Sequence, residues 1–218
     1  MNLDWAWINR NVEMIVGLVG QHAILALVPV IAALVVSIPL GYAVYRTKRA
    51  ANIVLAVFGV IYSIPSLALF VAMPLLLGTQ ILDPLNVAVA LTIYAVALLV
   101  RSVVDGLRTV PEAVKQSAAA LGYGSARRLL RVELPLAMPV IFAGLRVVTV
   151  SNIALVSVAI LVGQPSLGTL FDRGFRSNFF TPIVVGLVLS LVLALIADGL
   201  ILLIQRSTLP WARGRRVA

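Results

Sequence analysis

The sequence predicts an all-α integral membrane protein with about five transmembrane helices. Three observations carry this reading. Of 218 residues, 61% are hydrophobic and only 11% charged, with a mean hydropathy of +1.09; a soluble domain of this size needs more polar surface than that. The apolar residues fall in runs of about 20 or more, the length that crosses a hydrocarbon core of about 30 Å. The runs lack the alternation of barrel strands, so each satisfies its own backbone as a helix.

Taken in order, residues 1–22 read as an external N-terminal segment. The opening MNLDWAWINRNVEM is not a cleavable leader, because it carries Asp4 and Glu13 and the apolar run begins only after His22. Within it, 3–20 is expected to lie at the interface as a short helix anchored by Trp5 and Trp7. The transmembrane core covers 23–205, with spans at roughly 23–45, 53–77, 85–107, 136–162 and 182–204, the first an uncleaved insertion signal. Pro29, Pro39, Pro65 and Pro74 sit inside spans, where each removes a backbone donor and loosens its helix. His22, at the start of the first span, reads as a packing or interfacial residue rather than a ligand. Residues 206–218 form a basic tail, and 1–218 reads as one transmembrane domain.

The net charge of +9 does not point to nucleic acid, because the charges lie between the apolar runs. Arg46, Lys48 and Arg49, then Arg108, Lys115, Arg127, Arg128 and Arg131, then Arg206, Arg213, Arg215 and Arg216 make up 12 of the 17 basic residues. Five spans put all three groups on one side, leaving Arg10, Arg173 and Arg176 on the other. The positive-inside rule then places the N-terminus outside and the C-terminus, with the 108–133 segment, in the cytoplasm. Without cysteine there is no disulfide framework or thiolate metal site. Nucleotide-binding glycine loops, the HExxH pattern and carboxylate clusters are missing too, so neither a catalytic nor a metal site is expected.

Ionisable residues fall inside spans, Arg101, Arg146 and Asp198 among them. Arg101 is near enough to the cytoplasmic end to snorkel. Arg146 and Asp198 lie at depths that differ by about 6 Å at the helical rise, and are expected to pair the fourth span with the fifth. Tyr62, Ser63, Ser66 and Asn152 are the polar candidates for lining a translocation path, with helix packing an equal alternative for each.

The segment between the third and fourth spans is longer than a connection needs. In RTVPEAVKQSAAALG, Thr109 and Glu112 have capping-box spacing and Pro111 falls in the first turn. Val110, Val114, Ala118 and Leu121 make an apolar stripe, and Gly122 offers a stop with positive φ. Ser125 then caps a second helix, ARRLLRVE, which Pro135 ends. The nearly side-chain-free SAAA surface suits close approach of another backbone, either a partner's groove or the chain's own bundle.

These residues resemble the cytoplasmic signature of permease subunits of ATP-binding-cassette (ABC) importers: Glu-Ala-Ala, three residues, Gly, nine residues, Ile, one residue, Leu-Pro. Here Gln116-Ser117-Ala118 is followed by Gly122, then Val132, Leu134 and Pro135, with every interval kept. Gln116, Ser117 and Val132 depart from the pattern, and Gln116 removes a charge. Further stretches, GQHAILAL, YSIPSLALF and VELPLAMPVIFAGLR, resemble the osmoprotectant subgroup, which takes up glycine betaine, choline and carnitine. LVGQPSLGTLFDRGF resembles its small-residue external loop, with Gln164, Pro165 and Ser166 as replacements. The resemblance covers roughly 20–205.

The resemblance implies a type I importer permease with a MetI-like core, in a bacterial cytoplasmic membrane. Gln116, Ser117, Ala118, Ala119, Gly122, Val132, Leu134 and Pro135 would form the coupling segment to the ATPase. The implied partners are two ATPase subunits, which bind ATP and Mg, a second permease, identical or related, and a separate external binding protein. The permease itself would carry no cofactor and do no chemistry. Importers of amino acids or sulfonates are the alternative within the class; a secondary transporter or a membrane scaffold stands further off.

Overall fold

The computed structural model describes residues 3–48 and 50–211. Arg49 and the tail residues Arg213, Arg215 and Arg216 lie outside that set. Among the described residues every regular element is helical: α1 (Trp5–Arg10), α2 (Val12–Arg46), α3 (Ala51–Ser63), α4 (Ser66–Leu77), α5 (Pro84–Arg108), α6 (Glu112–Ala120), α7 (Ser125–Arg128), α8 (Leu134–Val156), α9 (Gly168–Arg176) and α10 (Phe180–Thr208).

The first span begins at Val12, not at 23. Glu13, Gln21 and His22 dilute the composition, yet Ile15, Leu18 and His22 are buried at helical spacing, so the amphipathic turns continue into the apolar ones. The interfacial helix shrinks to α1. Asp4 caps it by accepting from the Trp7 N–H at 2.8 Å, and the Asp4 N–H reaches Thr181 Oγ1 at the start of α10.

Packing fixes the helix directions. Going down α2, Ala26 clusters with Val87, Ala90 and Leu91; Val30 and Ala33 with Ala95 and Leu99; Val44 with Val100 and Val104. The two helices therefore run parallel, in register. They approach closely at Gly41, where an added Cβ would come within 2.6 Å of the Val103 side chain. α8 runs the other way, with Ala137 and Ile141 beside Leu107 and Ile153 beside the Ala26 level. α10 returns parallel to α2, its Val185 and Leu189 packing near Ile15 and Leu18. One end of the bundle thus carries Arg46, Arg108 and Arg206, and the far end carries Arg10, Arg173 and Arg176.

The stretch read as a single span at 53–77 is a broken one: α3 and α4 meet at 97°. Ile64 is extended (φ −62°, ψ 133°), as a residue before proline tends to be, and Pro65 has no N–H with which to continue the helix. The broken pair still crosses. Asn52 at the base of α3 accepts from Arg108 at 3.0 Å, while Leu69, Phe70 and Met73 of α4 pack beside Val87 and Leu91 near the start of α5. Pro29, Pro39 and Pro74 stay inside their helices. α9, a short helix between the fourth and fifth spans, is an addition to the elements read from sequence.

The bend is held by Tyr94, whose hydroxyl donates to the Ile64 carbonyl at 2.5 Å. Tyr94→Phe leaves that carbonyl unpaired, at a cost of about 1–3 kcal/mol. Thermal unfolding in detergent should show the loss, whereas Tyr62→Phe, on the exposed rim, should change stability by under about 0.5 kcal/mol.

Candidate functional site

The 108–135 segment caps the basic end of the bundle. Pro111, extended at ψ 138°, precedes α6, which starts at Glu112 with no side-chain cap. The capping box read at Thr109 does not form: the Thr109 hydroxyl donates to the Gly106 carbonyl at 2.7 Å, closing α5 instead. At the other end Gly122 has φ +80°. Its N–H donates to the Ala119 carbonyl at 2.9 Å, and the Tyr123 N–H to the Ala118 carbonyl at 3.1 Å, the paired bonds of a Schellman stop.

α6 is pinned by a residue that pattern reading passed over. Lys115 is buried, and its Nζ donates to the Tyr45 hydroxyl of α2 at 2.7 Å and lies 3.5 Å from Glu112. Nζ sits 5.3 Å from the Tyr45 ring centre, beyond the hydroxyl, so the contact is to the phenol oxygen rather than the ring face. Burial alone would lower the Lys115 pKa. The Tyr45 hydrogen bond and the Glu112 charge outweigh it and hold the ammonium above its ordinary value.

This anchor splits the predicted stripe. Val110 and Ala118 are buried on the chain's own bundle and Val114 is half-buried, but Leu121 is 78% exposed. Gln116, Ser117, Ala119, Ala120 and Gly122 are exposed beside it, giving a neutral surface of mostly small side chains.

The second half of the segment is framework. Ser125 is the first residue of α7, after Gly124, and makes no capping bond. Pro135 does not end the helix; Leu129–Glu133 widens into a π turn that runs straight into α8. The Leu134 N–H donates five residues back, to Leu129, and Pro135 follows without needing a donor. The wider turn also brings Arg128 and Glu133, five apart, onto one face, where Nε meets Oε1 at 2.6 Å. Val132, Leu134 and Pro135 are half-buried, and Leu134 packs against the cluster of Leu107, Ala137 and Ile141.

The path candidates divide. Tyr62, Ser63 and Ser66 surround the bend, Tyr62 and Ser63 exposed and Ser66 half-buried, with the Tyr62 ring 5.7 Å from that of Tyr94 in an edge-on contact. Asn152 does not join them. It is 1% exposed and sits between α8 and α2, with Nδ2 3.5 Å from the Ala26 carbonyl, because α8 turns that face to the core. Arg146 and Asp198 come together as a bidentate pair at 2.6 and 2.7 Å.

At the far end a second polar knot encloses His22, which is fully buried. Its Nδ1 accepts from the Leu167 N–H at 3.2 Å, so Nε2 carries the proton and donates to the Ile153 carbonyl at 2.9 Å. Two of the replacements in the loop before α9 bond inward: Gln164 Nε2 donates to the Leu82 carbonyl at 2.6 Å and Ser166 Oγ to that of Val156 at 3.2 Å. Among the described residues no cluster of ligating side chains suits a metal ion.

Residues 30–209 match the family described as the binding-protein-dependent transport system inner membrane component. The chain belongs to this family. It is the membrane-embedded, multi-pass subunit of an ABC importer, a class that works with ATPase and binding-protein partners. It is 30% identical to the carnitine transport permease protein OpuCD of Listeria monocytogenes, over 90% of this chain and 87% of that one. It is 31% identical to the osmoprotectant import permease protein OsmW of Salmonella typhimurium, over 88% and 90%. It is 32% identical to the glycine betaine/carnitine/choline transport system permease protein OpuCD of Bacillus subtilis, over 87% and 82%. In fold it is similar to an inward-facing methionine ABC transporter MetNI, with a TM-score of 0.73, 19% identity, and 95% and 99% of the two chains covered. A chain of an amino acid ABC transporter with histidines gives 0.72, 18%, and 95% and 100%.

Lys115→Met removes a hydrogen bond to a charged group, worth about 1.5–3 kcal/mol. Amide hydrogen exchange over 112–121 should then speed up by about 10- to 100-fold, while α5 and α8 stay protected.

Proposed function

We propose that this permease passes a small osmoprotectant of the glycine betaine, carnitine or choline type. An external binding protein delivers the solute, and two separate ATPase subunits, which hold the ATP and Mg, power the cycle. A second permease, identical or related, completes the passage, and this chain performs no chemistry of its own. The basic end faces the cytoplasm, since Arg46, Lys48, Arg108, Lys115, Arg127, Arg128, Arg131 and Arg206 gather there, so the N-terminus lies outside.

The observation that carries the reading is the free face of α6. Gln116, Ser117, Ala119 and Gly122 stand exposed at the basic end on a helix anchored from behind, the form a coupling helix needs to seat in an ATPase cleft. Ala118, Val132, Leu134 and Pro135 hold the frame that presents it. Closure of the ATPase pair on ATP draws two such helices together and opens the permeases outward, and hydrolysis resets them. The solute class rests on the transport functions of the relatives, which agree with one another and align along nearly the whole chain.

ATP-driven uptake of radiolabelled glycine betaine into proteoliposomes holding the full complex tests this. Wild type should accumulate the solute. Gly122→Trp, bulky and held at φ +80°, should cut uptake by more than about tenfold by blocking the seat and straining a left-handed position. A complex that hydrolyses ATP yet carries no betaine, carnitine or choline would overturn the solute class.

A further inference from the structure

α8 has two unlike faces. Val148, Thr149, Asn152 and Ile153 are buried, whereas Ala143, Val147 and Val150 are exposed. Two positions on is about 200° around a helix, so the exposed stripe points away from the core that α2 and α5 build. On that side α8 and α10 flank an open hollow of about 510 Å³ lined by Ala143, Arg146, Val147, Val150, Ser151 and Asp198.

The Arg146–Asp198 pair lies in the wall of this hollow. Arg146 is 12 residues into α8 from Leu134 and Asp198 is 10 short of Thr208. At the helical rise these are about 18 and 15 Å from the helix ends on the basic side, which keeps both charges within the apolar length of their spans. The two side chains are 37% and 27% exposed. Lipid chains do not cover such a pair, because intramembrane charges turn to the bundle interior or a wet cavity. A pair that only stapled α8 to α10 needs no opening on the side away from the core. This one is open on the side away from the protein core, beside the small side chains of Ala143 and Ser151.

We propose that Arg146 and Asp198 form a zwitterion-exchange site on the wall of the translocation path. The Arg146 guanidinium takes the carboxylate of a passing solute, Asp198 faces its cationic centre, and the two re-pair once it has gone. With a zwitterion each charge keeps a partner at every stage, so neither the empty nor the loaded site is left with bare charges in a poor dielectric. Binding stays weak because the solute displaces an existing pair, and a passage requires weak binding. The inference rests on the osmoprotectant reading above and sharpens it: glycine betaine and carnitine use both halves, whereas choline, without a carboxylate, uses only Asp198.

The chain has no cysteine, so an introduced thiol is the one thiol this subunit carries, and labelling is read on its own band. In the reconstituted complex, Val147→Cys and Ser151→Cys should react with a membrane-impermeant methanethiosulfonate in at least one nucleotide state, and betaine should slow the reaction. Arg146→Gln should reduce betaine uptake by about 10- to 100-fold relative to choline uptake, the change expected for losing a hydrogen bond to a charged group. Thiols unreactive in every state would overturn the proposal. So would equal losses for betaine and choline with a lowered Tm in both Arg146→Gln and the double variant Arg146→Gln/Asp198→Asn, which marks a structural clamp. A wild-type complex that carries choline but no zwitterion would overturn the exchange role alone, and one that carries none of the three would overturn the solute class, while the labelling still decides separately whether the pair faces water.

Discussion

The constraint behind this structure is that backbone inside hydrocarbon finds no water, so each freed N–H or C=O must be paired by the protein. The helices are interrupted at Ile64–Pro65 within the bundle, at Leu129–Glu133 at its basic end and over Ser157–Leu167 again within the bundle, and each interruption is closed from within. Tyr94 takes the carbonyl at the first. The π turn absorbs Pro135 at the second. At the third, His22, Gln164 and Ser166 bond carbonyls of α8 and of the loop before α5. That loop is tied in turn by Asn86, whose Nδ2 donates to the Gln80 carbonyl at 2.8 Å. Several of the polar side chains buried in this apolar chain therefore mark irregular backbone.

α2 links the two polar regions. At 35 residues it spans about 52 Å, well beyond a hydrocarbon core of about 30 Å. Near one end Tyr45 holds Lys115 of α6, and toward the other His22 holds α8 and the Leu167 turn. Because α2 lies in register along α5, through the close approach at Gly41, neither helix slides without breaking packing along its length. A displacement of α6 therefore bears on a rod rather than on a loop.

The sequence makes some of this legible and hides the rest for physical reasons. Long apolar runs reveal α5, α8 and α10 because hydropathy alone decides them. The start of α2 is hidden because its first turns are amphipathic and their partners, Leu167 and Leu170, lie about 150 residues away in the chain. Pro65 is visible as a breaker, but so are Pro29, Pro39 and Pro74. What separates them is a hydroxyl 30 residues on, at Tyr94, which makes the break affordable. The cap at Thr109 misleads because two uses competed for one hydroxyl, and the end of α5 took it. Gly122 was legible since its role is local, a left-handed stop. Arg146 and Asp198 were legible from depth alone, but the hollow beside them depends on which face α8 turns to its neighbours.

The two halves of the 116–135 signature obey different physics. Gly122 sets where α6 stops, and Leu134 and Pro135 set how α8 begins, and both are conditions on the backbone. Gln116 is a condition on the surface: it is exposed, and its side chain makes no hydrogen bond among the described residues. The charges of this region sit elsewhere, on Glu112 one turn back, on the neighbouring but inward-facing Lys115, and on Arg127, Arg128 and Arg131 ahead, with Arg128 neutralised by Glu133. Replacing the family's glutamate with glutamine therefore leaves the fold of the segment untouched and makes the exposed face of α6 neutral. On the coupling reading, contact at that face depends on shape and close approach of small residues, and the electrostatic share of docking moves to Arg127 and Arg131 beside it.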